Sequence, residues 1–130
     1  MGSVLLDTHI VHWWSAEPDR ISRPAQRVLD AADELLVAAI TWYELAWLAE
    51  RQRIDIDVPI RSWLENLGAQ LRTIGITPAI ADTAASLPHP FPRDPTDRLI
   101  YATAIEHGVQ LVTKDEAIAG QDGTRSLVVW

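Results

Sequence analysis

A chain of 130 residues, 48% hydrophobic and 22% charged, can bury one core and is too short for two ordinary domains, so a single domain over 1–130 is expected. The absence of cysteine excludes a disulfide framework, a zinc–thiolate site and a cysteine nucleophile, and it agrees with a cytoplasmic location. No run approaches the roughly 20 apolar residues of a membrane helix. The opening Met1-Gly2-Ser3-Val4 also reaches Asp7 too soon for a signal peptide. The formal charge of −7 argues against a polyanion partner. However, Lys114 is the only lysine among 11 basic side chains, and the arginines suit bidentate phosphate contacts.

In chain order, the apolar runs and helical patterns predict a strand at 3–6, helices at 8–15 and 22–33, a strand at 35–39 and helices at 41–53 and 58–71. A strand at 72–76, helices at 78–87 and 95–107, and strands at 109–113 and 126–130 follow. Strands alternating with helices imply parallel βαβ units, and continuous rather than alternating apolar strands imply a sheet covered on both faces. Local punctuation agrees. Ser22-Arg23-Pro24 reads as an N-cap and an early helical proline, and Asp94-Pro95 as the same device. Gly108 is placed to end that later helix. Thr41-Trp42-Tyr43-Glu44 fits a capping box, and Pro88 to Arg93 reads as a stiff loop.

Four carboxylates stand where strands end or helices begin: Asp7, Glu44, Asp97 and Asp115. In open α/β sheets, ligand sites gather at the carboxyl ends of the strands. Converging carboxylates need a cation to coexist, and oxygen ligands suit Mg²⁺ or Mn²⁺. Each acid also has a plain structural reading. Glu44 can complete the capping box. Asp94 can be an N-cap, and so can Asp7. Asp97 is favoured by the helix dipole, and Asp115 can sit in an ordinary turn. Their joint placement, rather than any one of them, points to a metal site.

Other chemistries find less support. His9 and His12 lack the i,i+4 spacing of zinc helices, His89 lies in the proline loop, and His107 complements a helix C-terminus. No G-x-S-x-G elbow or phosphate loop occurs. Trp13, Trp14, Trp42, Trp47 and Trp63 read as core or interface anchors.

The run Val4-Leu5-Leu6-Asp7-Thr8-His9 resembles the first motif of PIN-domain proteins, specifically the VapC-like toxins of toxin–antitoxin pairs. The likeness continues through Val37 to Ala46 around Glu44, is most specific from Arg93 to Ala104, and ends at Leu111-Val112-Thr113-Lys114-Asp115. It implies a three-layer α/β/α PIN-like domain with a central, mostly parallel sheet. It also implies a Mg²⁺- or Mn²⁺-dependent ribonuclease, a cognate VapB-like antitoxin and a homodimer. The family's acidic quartet falls on Asp7, Glu44, Asp97 and Asp115, with Asp94 and Thr113 in support. Arg98 adjoins the site in sequence and is a candidate for touching phosphate, with packing or a surface ion pair as its alternatives.

The chemistry expected of such a site is hydrolysis of RNA by metal-activated water, leaving a 5′-phosphate. Single-stranded or looped RNA fits a cleft better than a duplex does. Two rivals stand beside it. A catalytically inert PIN-like RNA- or protein-binding module would carry a damaged quartet. A haloacid-dehalogenase-type phosphohydrolase would need a D-x-D pair, which Asp7-Thr8-His9 lacks. The Trp-rich helix around Glu44 offers a groove for an antitoxin helix, unless that face packs the domain's own core.

Overall fold

The computed structural model describes residues 2–130 and contains five strands in one sheet, ordered β3-β2-β1-β4-β5, with every neighbouring pair parallel. The strands are β1 (Ser3–Leu6), β2 (Glu34–Ala38), β3 (Arg72–Ile74), β4 (Gln110–Val112) and β5 (Val128–Val129). The helices are α1 (Thr8–Ala16), α2 (Arg23–Ala31), α3 (Ala39–Glu50), α4 (Ile60–Gly68), α5 (Pro78–Ser86), α6 (Pro95–His107) and α7 (Glu116–Asp122). None of the helices is long and apolar enough to cross a membrane.

The apolar runs are explained by two cores, one on each face of the sheet. Leu5, Leu36, Ala38 and Leu111 join Ile80, Ile100, Tyr101 and Ile118 of α5, α6 and α7 on one face. Val4, Leu6, Val37 and Val112 join Ile10, Leu29, Leu45 and Leu67 of α1 to α4 on the other. Successive strand residues therefore point into different cores, and both must be apolar. Each fully buried Leu or Ile contributes about 2 kcal/mol of transfer free energy. This is the expected three-layer α/β/α arrangement, with a sheet that is wholly parallel.

Three differences from the sequence reading have physical causes. α3 begins at Ala39, two residues before the expected start, with no side-chain cap at Ala38. Thr41 is therefore inside the helix, and its buried hydroxyl meets that of Thr8 at 3.3 Å instead of capping. The segment after β4 forms an extra helix, α7, nucleated by Asp115 and closed onto the core by Ile118. Its short, polar sequence hides that single apolar anchor. Finally, β5 is only Val128–Val129. It is secured by Asp122, whose Oδ2 accepts from Val128 N–H at 2.9 Å while Oδ1 accepts from the Tyr101 hydroxyl at 2.6 Å.

The expected caps at Ser22, which accepts from Ala25 N–H, and at Asp94, which accepts from Thr96 N–H, are present. Gly108 ends α6 in the left-handed region at φ 60°, where a side chain would be strained.

Candidate active site

The chain runs from β1 outward to β2 and β3, then returns to the other side of β1 for β4 and β5. The carboxyl ends of β1 and β4 therefore form the topological switch point where open α/β sheets bind ligands. Asp7 follows β1 there and closes the gap. Its N–H donates to Val112 O at 3.0 Å, its Oδ1 accepts from Thr8 N–H at 2.8 Å, and its Oδ2 accepts from the Thr113 hydroxyl at 2.5 Å. The same Thr113 oxygen accepts from Asp115 N–H at 3.0 Å. One buried hydroxyl thus ties the acid after β1 to the backbone after β4.

A single open cavity of about 560 Å³ lies over this junction, and Asp7, Glu44, Asp94, Asp97 and Asp115 all line it. All four acids of the expected quartet, and the supporting Asp94, line the same cavity. Their local duties differ. Asp115 caps α7, accepting at Oδ1 from Ala117 and Ile118 N–H, while Oδ2 accepts no hydrogen bond among the described residues. Asp94 caps α6 through Oδ1. Glu44 is in the second turn of α3, not the first, so it has no capping role and its placement at the cavity needs another reason. Asp97 is in the first turn of α6.

Electrostatics mark these side chains as a coupled group. Burial raises the pKa of Asp7 above the usual carboxylate range, against the pull of Thr113 and Thr8. Burial likewise raises Glu44, with Asp7 and Asp94 adding to it. Asp97 is pushed up to about 7, first by burial and then by Asp7, Asp94, Asp115 and Glu44. Carboxyls raised by burial and by one another's charge are a feature of functional sites.

The donor set is all carboxylate oxygen, which suits a hard divalent cation. Among the described residues, no three His, Asp or Glu side chains stand in an arrangement that could hold a metal ion as they are. The acids share a cavity without being closed on one point, so binding a cation requires some of them to rotate inward.

Of the three readings offered for Arg98, packing is the one its contacts match. Its guanidinium does not line the acidic cavity. It donates to Pro92 O at 2.9 Å, Ala84 O at 3.0 Å, Leu87 O at 3.2 Å and Phe91 O at 3.5 Å, gathering the end of α5 and the proline loop. Helical geometry explains this. One residue beyond Asp97 is about 100° round the helix, so the two side chains cannot share a direction. Among the tryptophans, Trp42 packs on the second core and donates to the Thr73 hydroxyl at 2.9 Å, while Trp47 stacks under Arg51 at 4.2 Å.

Sequence reasoning missed His9, Trp13 and Lys114 on the cavity wall. Their signal was available. His9 and Trp13 are one helical turn apart on the helix that Asp7 starts, and Lys114 precedes Asp115. The Lys114 ammonium rests 5.9 Å from the ring centres of both Trp13 and Trp130.

Known proteins match this architecture. The PIN domain family model matches residues 4–123. Ribonuclease VapC22 of Mycobacterium tuberculosis is 56% identical over 130 residues, covering 100% of both chains. Among solved structures, VapBC2 from Rickettsia felis, bound to a promoter DNA fragment, aligns with TM-score 0.70 at 14% identity, covering 98% of each chain. VapBC-1 from nontypeable Haemophilus influenzae aligns with TM-score 0.70 at 17% identity, covering 99% of this chain and 97% of its own. A toxin–antitoxin complex from Klebsiella pneumoniae aligns with TM-score 0.68 at 23% identity, covering 98% and 96%. At those identities the structural likeness concerns the fold. The family model and the full-length relative establish the lineage: this chain belongs to the PIN-domain family, among its VapC members.

Proposed function

We propose that this chain is a ribonuclease that hydrolyses phosphodiester bonds at the acidic cavity with bound Mg²⁺ or Mn²⁺, and that it acts as the toxin of a VapBC-type pair in the cytoplasm. One observation carries the chemistry. Asp97, pushed up to about 7 among four other acids at the switch point, is where a divalent cation gains most from binding. The name of the full-length relative supports RNA as substrate. PIN-domain ribonucleases generally depend on divalent metal.

Asp7 and Asp97 are the residues that would first hold the cation, and Glu44 and Asp115 on the same cavity would assist them. When bound, a divalent cation lowers the pKa of water and offsets the charge gathering on the phosphate. The protein's own part is orientation. Thr113 and the Thr8 N–H fix both Asp7 oxygens, and the α7 amides fix one oxygen of Asp115. Glu44, half-buried and raised, is placed to hold a proton taken from water. Lys114, on the rim, offers its ammonium to a phosphate oxygen. With water rather than the ribose 2′-hydroxyl as nucleophile, the products carry 5′-phosphates.

The solved relatives that pair a toxin with an antitoxin support a VapB-like partner for this chain; the homodimer is proposed from family membership. The helix face around Glu44 narrows as a docking candidate. Trp42 belongs to the core, leaving Tyr43, 66% exposed, and Trp47 beside the acids.

Thr113→Val preserves shape but removes the donor to Asp7. Cleavage is expected to fall about ten- to a hundredfold, as for other groups that orient a metal ligand, with the circular dichroism spectrum unchanged. The direct test is digestion of total cellular RNA by partner-free protein, with and without Mg²⁺ or Mn²⁺, beside Asp7→Asn. Metal-dependent cuts that vanish in Asp7→Asn support the reading. Cutting that persists in chelator, or in the variant at the parental rate, overturns it.

A further inference from the structure

β4 and β5 are neighbouring parallel strands, and just past their paired residues Thr113 N–H donates to Val129 O at 3.2 Å. The next residue on each side, Lys114 and Trp130, therefore emerges at the carboxyl edge of the sheet, where the acidic cavity also opens.

Lys114 is the only lysine of the chain and lines that cavity together with carboxylates that include its neighbours Asp115 and Glu116. A flexible ammonium in such company would ordinarily pair with one of them. Elsewhere Glu17 meets His12 and Arg20, and Glu34 meets Arg72, but Lys114 makes no ion pair among the described residues. Its Nζ stands instead 5.9 Å from the ring centres of both Trp13 and Trp130. That is near the outer limit of cation–π attraction, about 6 Å, so the rings hold it loosely. An exposed, unpaired ammonium at the rim of the cavity is poised to meet a phosphate oxygen.

Trp130 supplies the second half. Among the described residues it is the one tryptophan with an exposed side chain, at 37%. Trp14, Trp42 and Trp63 pack on the second core, and Trp47 lies under Arg51. The Trp130 ring centre is 6.1 Å from that of Trp13 at an angle of 52°, so the cavity wall supports it on one side without covering it. A nucleotide carries its phosphate and its base at opposite ends of one sugar, and an open indole beside an unpaired ammonium can take both. We propose that Lys114 and Trp130 form a nucleotide clamp at the rim of the catalytic cavity, Lys114 holding a backbone phosphate and the Trp130 indole stacking on the base of the same nucleotide. Every base has a face to stack, so the clamp sets the register of the strand without reading its sequence. The assignment rests on the ribonuclease reading, since it takes the strand to enter the acidic cavity.

The test is steady-state cleavage of a single-stranded RNA oligonucleotide by the full chain with Mn²⁺. The parent strand is compared with a set in which each nucleotide flanking the cut is made abasic in turn. One abasic position is expected to lower kcat/KM about tenfold, mainly through KM, the size of one base–indole contact. Trp130→Leu fills the same place without an aromatic face. It should lose the same factor on the parent strand and lose nothing more on that abasic strand, because ring and base act as one contact. Trp130→Phe should restore most of the activity and the sensitivity to the missing base. Lys114→Gln should weaken every strand alike and flatten the salt dependence of KM. Trp130→Leu that behaves as wild type, or that lowers every strand equally with the abasic penalties intact, would make the ring a packing or protein-binding group and overturn the clamp. Cleavage without any coupled position sinks the clamp alone, whereas no cleavage of any strand sinks the ribonuclease reading and the clamp with it.

Discussion

Asp97→Asn should abolish cleavage and, at the same time, make the metal-free protein more stable. The first effect follows from removing a carboxylate of the cation site. Since loss of a supporting group costs ten- to a hundredfold, loss of a ligand should cost on the order of a hundredfold or more. The second follows from linkage. Asp97 has an ordinary carboxylate pKa when unfolded and about 7 when folded, so its ionisation opposes folding. Stability from this group is present at low pH and is lost as pH rises between about 4 and 7. The Asn variant does not suffer that loss. Wild type and variant should therefore melt together near pH 4 and diverge above pH 7. Discounted for solvent screening of a partly exposed group, the gain is about 1–2 kcal/mol, roughly 3–8 °C in Tm for a domain of this size. Adding Mg²⁺ or Mn²⁺ should raise the wild-type Tm and leave the variant nearly unmoved. A variant less stable than wild type at pH 8 without metal would remove the electrostatic argument.

Arg98→Ala should cost substantial stability, and it should act without touching substrate. Its guanidinium holds four backbone carbonyls from Ala84 to Pro92 and lies 5.9 Å from the centre of the Phe91 ring. Removing it leaves those carbonyls short of donors and frees the loop that delivers Asp94 and Asp97. The expected cost is about 3 kcal/mol, given that single hydrogen bonds to charged donors are worth about 1.5–3. That corresponds to a Tm lower by roughly 10 °C. Arg98→Lys should recover less than half, because an ammonium cannot span the fork of acceptors. Thermal melts decide the matter. A variant that melts like wild type but loses RNA affinity would return Arg98 to a phosphate-binding role.

The contrast between these two neighbours shows what the sequence could and could not disclose. Asp97 was legible because its helix start was legible: Asp94-Pro95 fixes the first turn, and the turn fixes which acids meet the strand ends. The direction of Arg98 depends on where the proline loop folds, which no local pattern encodes. A mostly parallel sheet covered on both faces could be read from continuous apolar runs, because two cores demand apolar residues at every strand position. α7 could not, since seven mostly small and polar residues carry only Ile118 as an anchor. The capping-box reading of Thr41 and Glu44 failed for a related reason. Ala39 and Ile40 suit a strand end and a helix start equally, and tertiary contact between Thr8 and Thr41 settled the boundary. That shift bears on function, because it strips Glu44 of its capping duty and leaves it on the cavity with the other acids.

The central claim is that the carboxylates over the β1–β4 switch point cut RNA by metal-dependent hydrolysis, and the chemistry of the cut ends tests it most directly. A single-stranded oligonucleotide should be digested by the purified chain with Mn²⁺ or Mg²⁺, and the products identified by mass. Cuts that leave a 5′-phosphate and a 3′-hydroxyl, and that stop in chelator, are the predicted result. A 2′,3′-cyclic phosphate would mean the ribose hydroxyl is the nucleophile, cutting that continues in chelator would mean no metal is needed, and either would contradict the account.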